Sequence, residues 1–218
     1  MADSTNSIEM KKKRIERELS VEKTEAILDG AMQEFLLHGY AATSMDKIAS
    51  AAGVSKATVY SHFQDKVGLF TVLIQRMARR KVLFAQELLQ STQGDPNLAL
   101  RQFANQMLDN IAADPQILTF IRLVVGESGR FPELAQSFVK NIEKPSLELL
   151  TQYLGSHPDL HFPDPEVAAR AFIGTMIHFV LMGQVLHGSS ILPMERERLL
   201  DHLLDLIIRS HQTPMQMS

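Results

Sequence analysis

The sequence predicts an all-α protein, and three observations carry that prediction. Apolar residues recur at spacings of three and four through nearly every segment, the period of a helix with one buried face. No stretch alternates apolar and polar residues as a half-buried strand would. Between the periodic segments stand Gly, Pro, Asp and Ser, where helices end and begin. About nine helices result, arranged as a small three-helix unit followed by a larger helical body.

The first segment, "VEKTEAILDGAMQEFLLHGY", places Ile27, Ala31 and Phe35 beside Leu28, Met32 and Leu36 on one broad face, and Gly39 at a left-handed C-terminal cap. Thr43 opens the second helix with Asp46 three residues on, a variant of the capping box. "MDKIASAA" is short and ends at Gly53; Ser55 caps the third helix and Asp65 the fourth, which runs from about Lys66 to Gln90. "STQGDPN", Ser91 to Asn97, is the clearest break in the first half. Helices follow over 96–113, 115–127 and 132–154, with Pro145 interrupting or kinking the last. "GSHPDLHFPDP" is a loop, after which Asp164 caps and Pro165 begins a long helix to about His187. "GSSILP" turns the chain into a final helix, about Met194 to Ser210.

With 218 residues, the chain is long enough for one large helical domain or a small one joined to a larger one. It has no cysteine, which removes disulfides, thiolate metal sites and thiol switches, and fits a cytoplasmic location. The first twenty residues are polar and lack the apolar run of a signal peptide. The most apolar window, Ala171 to Leu186, is short for a membrane span and carries His178 and Gln184, so it reads as a buried helix. Net charge is −3, but unevenly spread: Met45 to Ala85 holds seven basic residues against two acidic ones. A basic front on an acidic body is expected where one end meets a polyanion.

Ile48 to Phe63 reads as two short helices about a tight turn. Ile48, Ala52, Val54 and Val59 are its apolar positions, Ala49 is small where the helices cross, and Gly53 sits where a positive φ is needed. That is a helix-turn-helix, whose second helix lies in the DNA major groove. With Val59 and Phe63 facing inward, Thr58, Tyr60, Ser61 and His62 face outward with hydroxyls and an imidazole suited to phosphates and base edges.

More than spacing agrees. "TSMDKIASAAGVSKATVYSHFQDKVGLF" closely resembles the DNA-binding domain of the tetracycline-repressor (TetR) family of bacterial regulators, over about residues 20 to 70. "FIRLVVGESGRFPELAQSFVKNI" resembles a subgroup of that family whose regulatory domains carry a similar "RFPEL" segment. The resemblance implies a polar N-terminal tail or helix extension (1–20), a DNA-binding domain (21–68), a helical regulatory and dimerisation domain (69–211) and a C-terminal tail (212–218). It implies that Thr43, Ser44, Thr58, Tyr60, His62 and Lys66 touch phosphates, and that Lys56, Ala57, Tyr60 and Ser61 read base edges. Ser55 adds the N-terminus of the third helix, whose free N–H groups favour a phosphate. Asp46 either accepts from a cytosine amino group or serves its own helix cap. Lys11, Lys12, Lys13 and Arg14 are either a solvated helix end or an arm into the minor groove.

A double-stranded DNA operator is the expected partner, near-palindromic because helix-turn-helix proteins bind it as dimers. The last two long helices are the expected dimer surface. "EVAARAFIGTMIHFVLMGQVL" is apolar nearly all round, Gly174 and Gly183 allow close approach, and Leu199, Leu203, Leu206 and Ile207 form a stripe on the final helix. The resemblance further implies a small-molecule inducer, apolar or amphipathic, inside the C-terminal helices. Phe103, Met107, Phe120, Leu123, Phe138, Phe172, Met176 and Phe179 are its candidate contacts, although any single one of them suits an ordinary core better; Arg122 or His178 either gives polar orientation or is satisfied structurally. No G-x-S-x-G, G-x-x-x-x-G-K-[ST] or H-E-x-x-H motif occurs, so neither enzymatic activity nor a cofactor nor a metal is expected. The competing expectation is a helical interaction or enzymatic module that binds no operator.

Overall fold

A computed structural model describes residues 2–91, 95–157 and 160–208, leaving out the side chains of 2–17, 80–84 and 90–91. Ten α-helices and no β-strand occur among these residues. They are α1 (Ala2–Ala42), α2 (Met45–Ala51), α3 (Lys56–His62), α4 (Lys66–Ser91), α5 (Pro96–Ala113), α6 (Pro115–Glu127), α7 (Pro132–Phe138), α8 (Lys144–Ser156), α9 (Pro165–Val180) and α10 (Arg196–Ile208).

Local chemistry accounts for most of these limits. Asp95, Asp114 and Asp164 each precede a proline and accept backbone N–H bonds from the first turn of α5, α6 and α9. Gly39 interrupts α1 with φ 79° and ψ 164°, a mirror-extended conformation that only glycine reaches easily, rather than the expected left-handed cap; helical geometry resumes for a few residues after it.

The expected 132–154 helix is two helices joined by a π-helical turn, Val139–Glu143, which raises nine to ten. Pro145 is the reason. It has no N–H to offer the Asn141 carbonyl, and its ring crowds that position, so the ladder widens just before it. Lys144 N–H donates instead to Val139 O, five residues back. A second π-helical turn, Leu181–Val185, prolongs α9.

Two apolar cores hold the helices. The first joins Ile27, Phe35, Ile48 and Val59 of α1–α3 to Leu69, Phe70, Leu73 and Ile74 of α4, and continues into Phe120 and Val124 of α6 and Leu134 of α7. The second lies among α5, α8, α9 and α10, with Leu100, Leu154, Phe172, Met176 and Leu204 at its centre. The N-terminal helices therefore share packing with part of the body. Five rings mark that joint: Phe70 stacks on Phe120 at 5.4 Å and meets Phe35 and Tyr40 edge-on at 5.5 Å each, and Tyr40 meets Phe131 at 5.0 Å. Gly30 lets α1 cross the end of α2, since a Cβ there would stand 2.8 Å from the backbone nitrogen of Ala52.

Candidate nucleic-acid interface

The turn between α2 and α3 is built as the residues require. Ile48 is fully buried and Ala49 nearly so. Ala52 N–H donates to Ile48 O, Gly53 N–H to Ser50 O and Val54 N–H to Ala49 O, with Gly53 at φ +66°. Ser55 caps α3: its hydroxyl oxygen accepts from Thr58 N–H at 3.1 Å. Val59 and Phe63 point into the first core. Lys56, Ala57, Tyr60 and Ser61 are left on the exposed side of α3, with Tyr60 the largest at 47% exposure. Thr58 and His62 lie at the edge of this face, partly covered.

Several side chains expected on DNA have partners inside the chain. The cap of α2 is Ser44, whose oxygen accepts from Lys47 N–H at 3.3 Å, and not Thr43. Thr43 is buried; its hydroxyl donates to Glu34 O and Gly39 O at 3.1 and 2.8 Å, closing the kinked end of α1. Its side chain is therefore not available to a phosphate in this structure. Lys66 turns inward likewise. Its Nζ donates to Tyr40 O and Thr43 O at 2.6 and 2.7 Å and sits 4.3 Å from the Tyr40 ring centre. Burial holds that ammonium below the usual lysine range, and burial pushes the Tyr40 phenol up to about 12. The imidazole Nδ1 of His62 lies 3.0 Å from the Thr24 hydroxyl of α1, leaving the rest of the ring toward the α3 face. Nothing in the sequence marks Thr24, which is thirty-eight positions away.

Asp46 reaches across to α3 rather than back to its own helix cap: its carboxylate oxygens lie 2.8 and 2.9 Å from Lys56 Nζ. That bond raises the Lys56 pKa, so the lysine stays charged. It also sets an anion beside the surface expected to meet phosphates. Asp46→Asn removes this competition and is expected to strengthen DNA binding about two- to fivefold at low salt, the scale of one exposed ion pair; fluorescence anisotropy on a labelled duplex measures it. The basic residues Lys11, Lys12, Lys13 and Arg14 lie outside the described side chains.

A second site lies within the body. A cavity of about 310 Å³ opens among α4, α5, α6, the α7–α8 turn and α9. Of the eight expected contacts, Phe103, Met107, Phe120 and Phe138 line it. The other four do not: Phe172 and Met176 are sealed in the second core, Phe179 packs against it, and Leu123 packs against the first. Arg122 faces elsewhere, donating to Gln184 O and Val185 O at 2.7 and 3.2 Å, and His178 is exposed. Sequence reading missed the polar lining, Gln106, Asn110, Glu143 and Ser146. Helical spacing could have placed Gln106 and Asn110 beside Phe103 and Met107 on one face of α5. No three His, Asp or Glu residues are grouped to hold a metal ion among the described residues.

The helix Pro165–Val185 is long and apolar enough to cross a membrane, a test that the core helix of a soluble protein also passes, and 28% of its window is buried within the chain. Val167, Ala171, Gly174 and Ile177 form an uncovered stripe on α9. On α10 the expected stripe divides: Leu203 and Ile207 are buried in the second core, Leu199 is half-buried, and Leu206 stands open.

Comparison with known proteins agrees with this layout. Residues 27–73 match the model of bacterial regulatory proteins of the tetR family, and residues 98–212 match that of the C-terminal domain of AefR-like transcriptional repressors. The HTH-type transcriptional regulator YvkB of Bacillus subtilis is 26% identical over 84% of this chain and 94% of its own length. The HTH-type transcriptional regulator AcrR of Shigella flexneri is 27% identical over 61% of this chain and 63% of its own. Among solved structures, the flavonoid-responsive regulator FrrA is 32% identical with a TM-score of 0.68, covering 88% of this chain and 98% of that one. A TetR-family regulator from Mesorhizobium loti shares the fold with a TM-score of 0.73 at 24% identity, covering 89% of this chain and 98% of that one.

Proposed function

Since this chain belongs to the tetR family of bacterial regulatory proteins and is a DNA-binding transcriptional regulator, we propose that it acts in the cytoplasm as a homodimeric repressor. It sits on a near-palindromic operator and leaves it when a small apolar or amphipathic ligand enters the cavity of the body. The observation that carries this reading is the exposed face of α3, with Lys56, Ala57, Tyr60 and Ser61 presented outward while Val59 and Phe63 anchor the helix from behind. Ser44, Ser55, Thr58 and the free side of His62 supply phosphate contacts around them.

Residues 21–68 act as the DNA-binding unit and 69–211 as the regulatory one, coupled through the first core. The α9 stripe at Val167, Ala171, Gly174 and Ile177 supports dimerisation there, with α10 contributing through Leu206 and its neighbours. An interface of that kind covers apolar area that a lone chain leaves in water. Two heads on one duplex need half-sites roughly 34–36 Å apart.

Anisotropy titrations of the full chain test this reading. Labelled DNA from upstream of the protein's own gene is compared with an unrelated duplex at fixed salt. Specific binding is expected, and Tyr60→Ala should weaken it about 10–100-fold, the cost of roughly 1–3 kcal/mol for a lost base contact, with no change in melting temperature. Equal affinity for both duplexes at every salt concentration would remove the operator reading.

A further inference from the structure

The cavity in the body has apolar walls with a single ionisable side chain among its described lining residues, Glu143. No lysine, arginine or histidine lines it among those residues. Glu143 arrives there through the π-helical turn. In a turn closed by bonds five residues apart, the fifth residue returns over the start, so Glu143 comes back over Phe138, and both face the cavity. The widened turn before Pro145 thus sets where the carboxylate points.

The carboxylate is half-buried and has no hydrogen bond or ion pair among the described residues. Burial raises its pKa; the charge of Arg170 opposes this from a distance, but that guanidinium already donates to Glu166 at 2.6 and 2.9 Å. Nearby, the Ser146 hydroxyl donates to Ile142 O at 2.8 Å, which leaves its oxygen as an acceptor. An unpaired carboxylate against apolar walls is costly, and a partner that brings a positive charge removes that cost. An anionic ligand would meet the reverse: a like charge and, among the described lining residues, no cation to offset it.

We propose that the ligand of this cavity is an amphipathic cation, an apolar body carrying a protonated amine or quaternary ammonium group held by Glu143. This rests on the reading of the cavity as the ligand site. Phe103, Met107, Phe120 and Phe138 take the apolar body, and the aromatic rings among them favour a cation at their faces.

Three probes with one alkyl chain and different heads separate the possibilities: decyltrimethylammonium, decanol and decanoate, titrated calorimetrically into the full-length protein and into Glu143→Gln. The wild-type protein is expected to bind the cation at least about tenfold tighter than the alcohol, and the carboxylate most weakly. Glu143→Gln should erase the preference for the cation and leave alcohol binding unchanged. Alcohol binding equal to or tighter than cation binding, or a cation preference that survives in Glu143→Gln, overturns the proposal while leaving the cavity as a ligand site. If none of the three binds, the ligand-site reading falls and the proposal with it. The order of the heads in the wild-type protein decides the matter even should the variant fold poorly.

Discussion

Phe70→Ala is expected to destabilise the chain by about 3–5 kcal/mol, the usual cost of emptying a fully buried phenylalanine site. Phe70 has no exposed surface, and its ring touches Phe35 and Tyr40 of α1 and Phe120 of α6. The void would open where three helices meet, and none of them can close it alone without disturbing another core contact. For a domain of this size the melting temperature should fall by roughly 6–20 °C, read by circular dichroism.

The same substitution has a second expected consequence. Phe120 lines the body's cavity and stacks on Phe70, which packs against the N-terminal helices. Any coupling between ligand and operator, typically about 1–3 kcal/mol, has a packed route through those two rings. Operator release by ligand should therefore weaken in Phe70→Ala at temperatures where the variant is still folded. A melting temperature within a degree of wild type, with release intact, would show that the joint is neither tightly packed nor a route.

Operator affinity is expected to fall on the order of 10³-fold between 50 and 200 mM salt, toward the lower end of the range for proteins that neutralise six to ten phosphates. The lower end follows from the ion pairs. The segment from Met45 to Ala85 is rich in basic residues, yet Lys56 is held by Asp46, Lys66 is turned onto backbone carbonyls, and Arg76 binds Glu25 and Asp29 at 2.9 and 2.7 Å. Fewer cations remain to displace counterions than the sequence promises. Plotting the logarithm of affinity against that of salt concentration gives the slope directly. A flat line would mean that no phosphates are neutralised and would end the DNA-binding reading of α3; Asp46→Asn should steepen the slope by returning Lys56 to the interface.

These two results bear on how far the sequence could be read. Caps and turns were legible because their chemistry is local. Asp95, Asp114 and Asp164 bond to N–H groups two or three residues on, and Gly53 adopts a conformation set by its own missing side chain. The anchoring of α3 by Val59 was legible for the same reason, since helical spacing assigns each residue to a face. The position of the break before α8 was half legible: Pro145 announces a disturbance, but whether the helix kinks, stops or widens depends on what packs against it.

Periodicity, capping and the helix-turn-helix spacing thus determined by themselves that this chain is all-α, that a short polar helix stands on an apolar footing, and where most helices begin. The tertiary structure alone decided which polar tips remain for a ligand. Thr43, Lys66, His62 and Asp46 look alike as donors or acceptors in one dimension, yet Asp46, Lys66 and His62 find partners ten to thirty-eight residues away, and Thr43 closes on carbonyls four and nine residues back across the kink at Gly39. It also decided that a half-buried carboxylate lines the cavity while Phe172 and Met176 do not. The physical reason is one of range: a helix is specified by neighbours within a turn or two, whereas the satisfaction of a polar group depends on whatever the fold brings within about 3 Å of it.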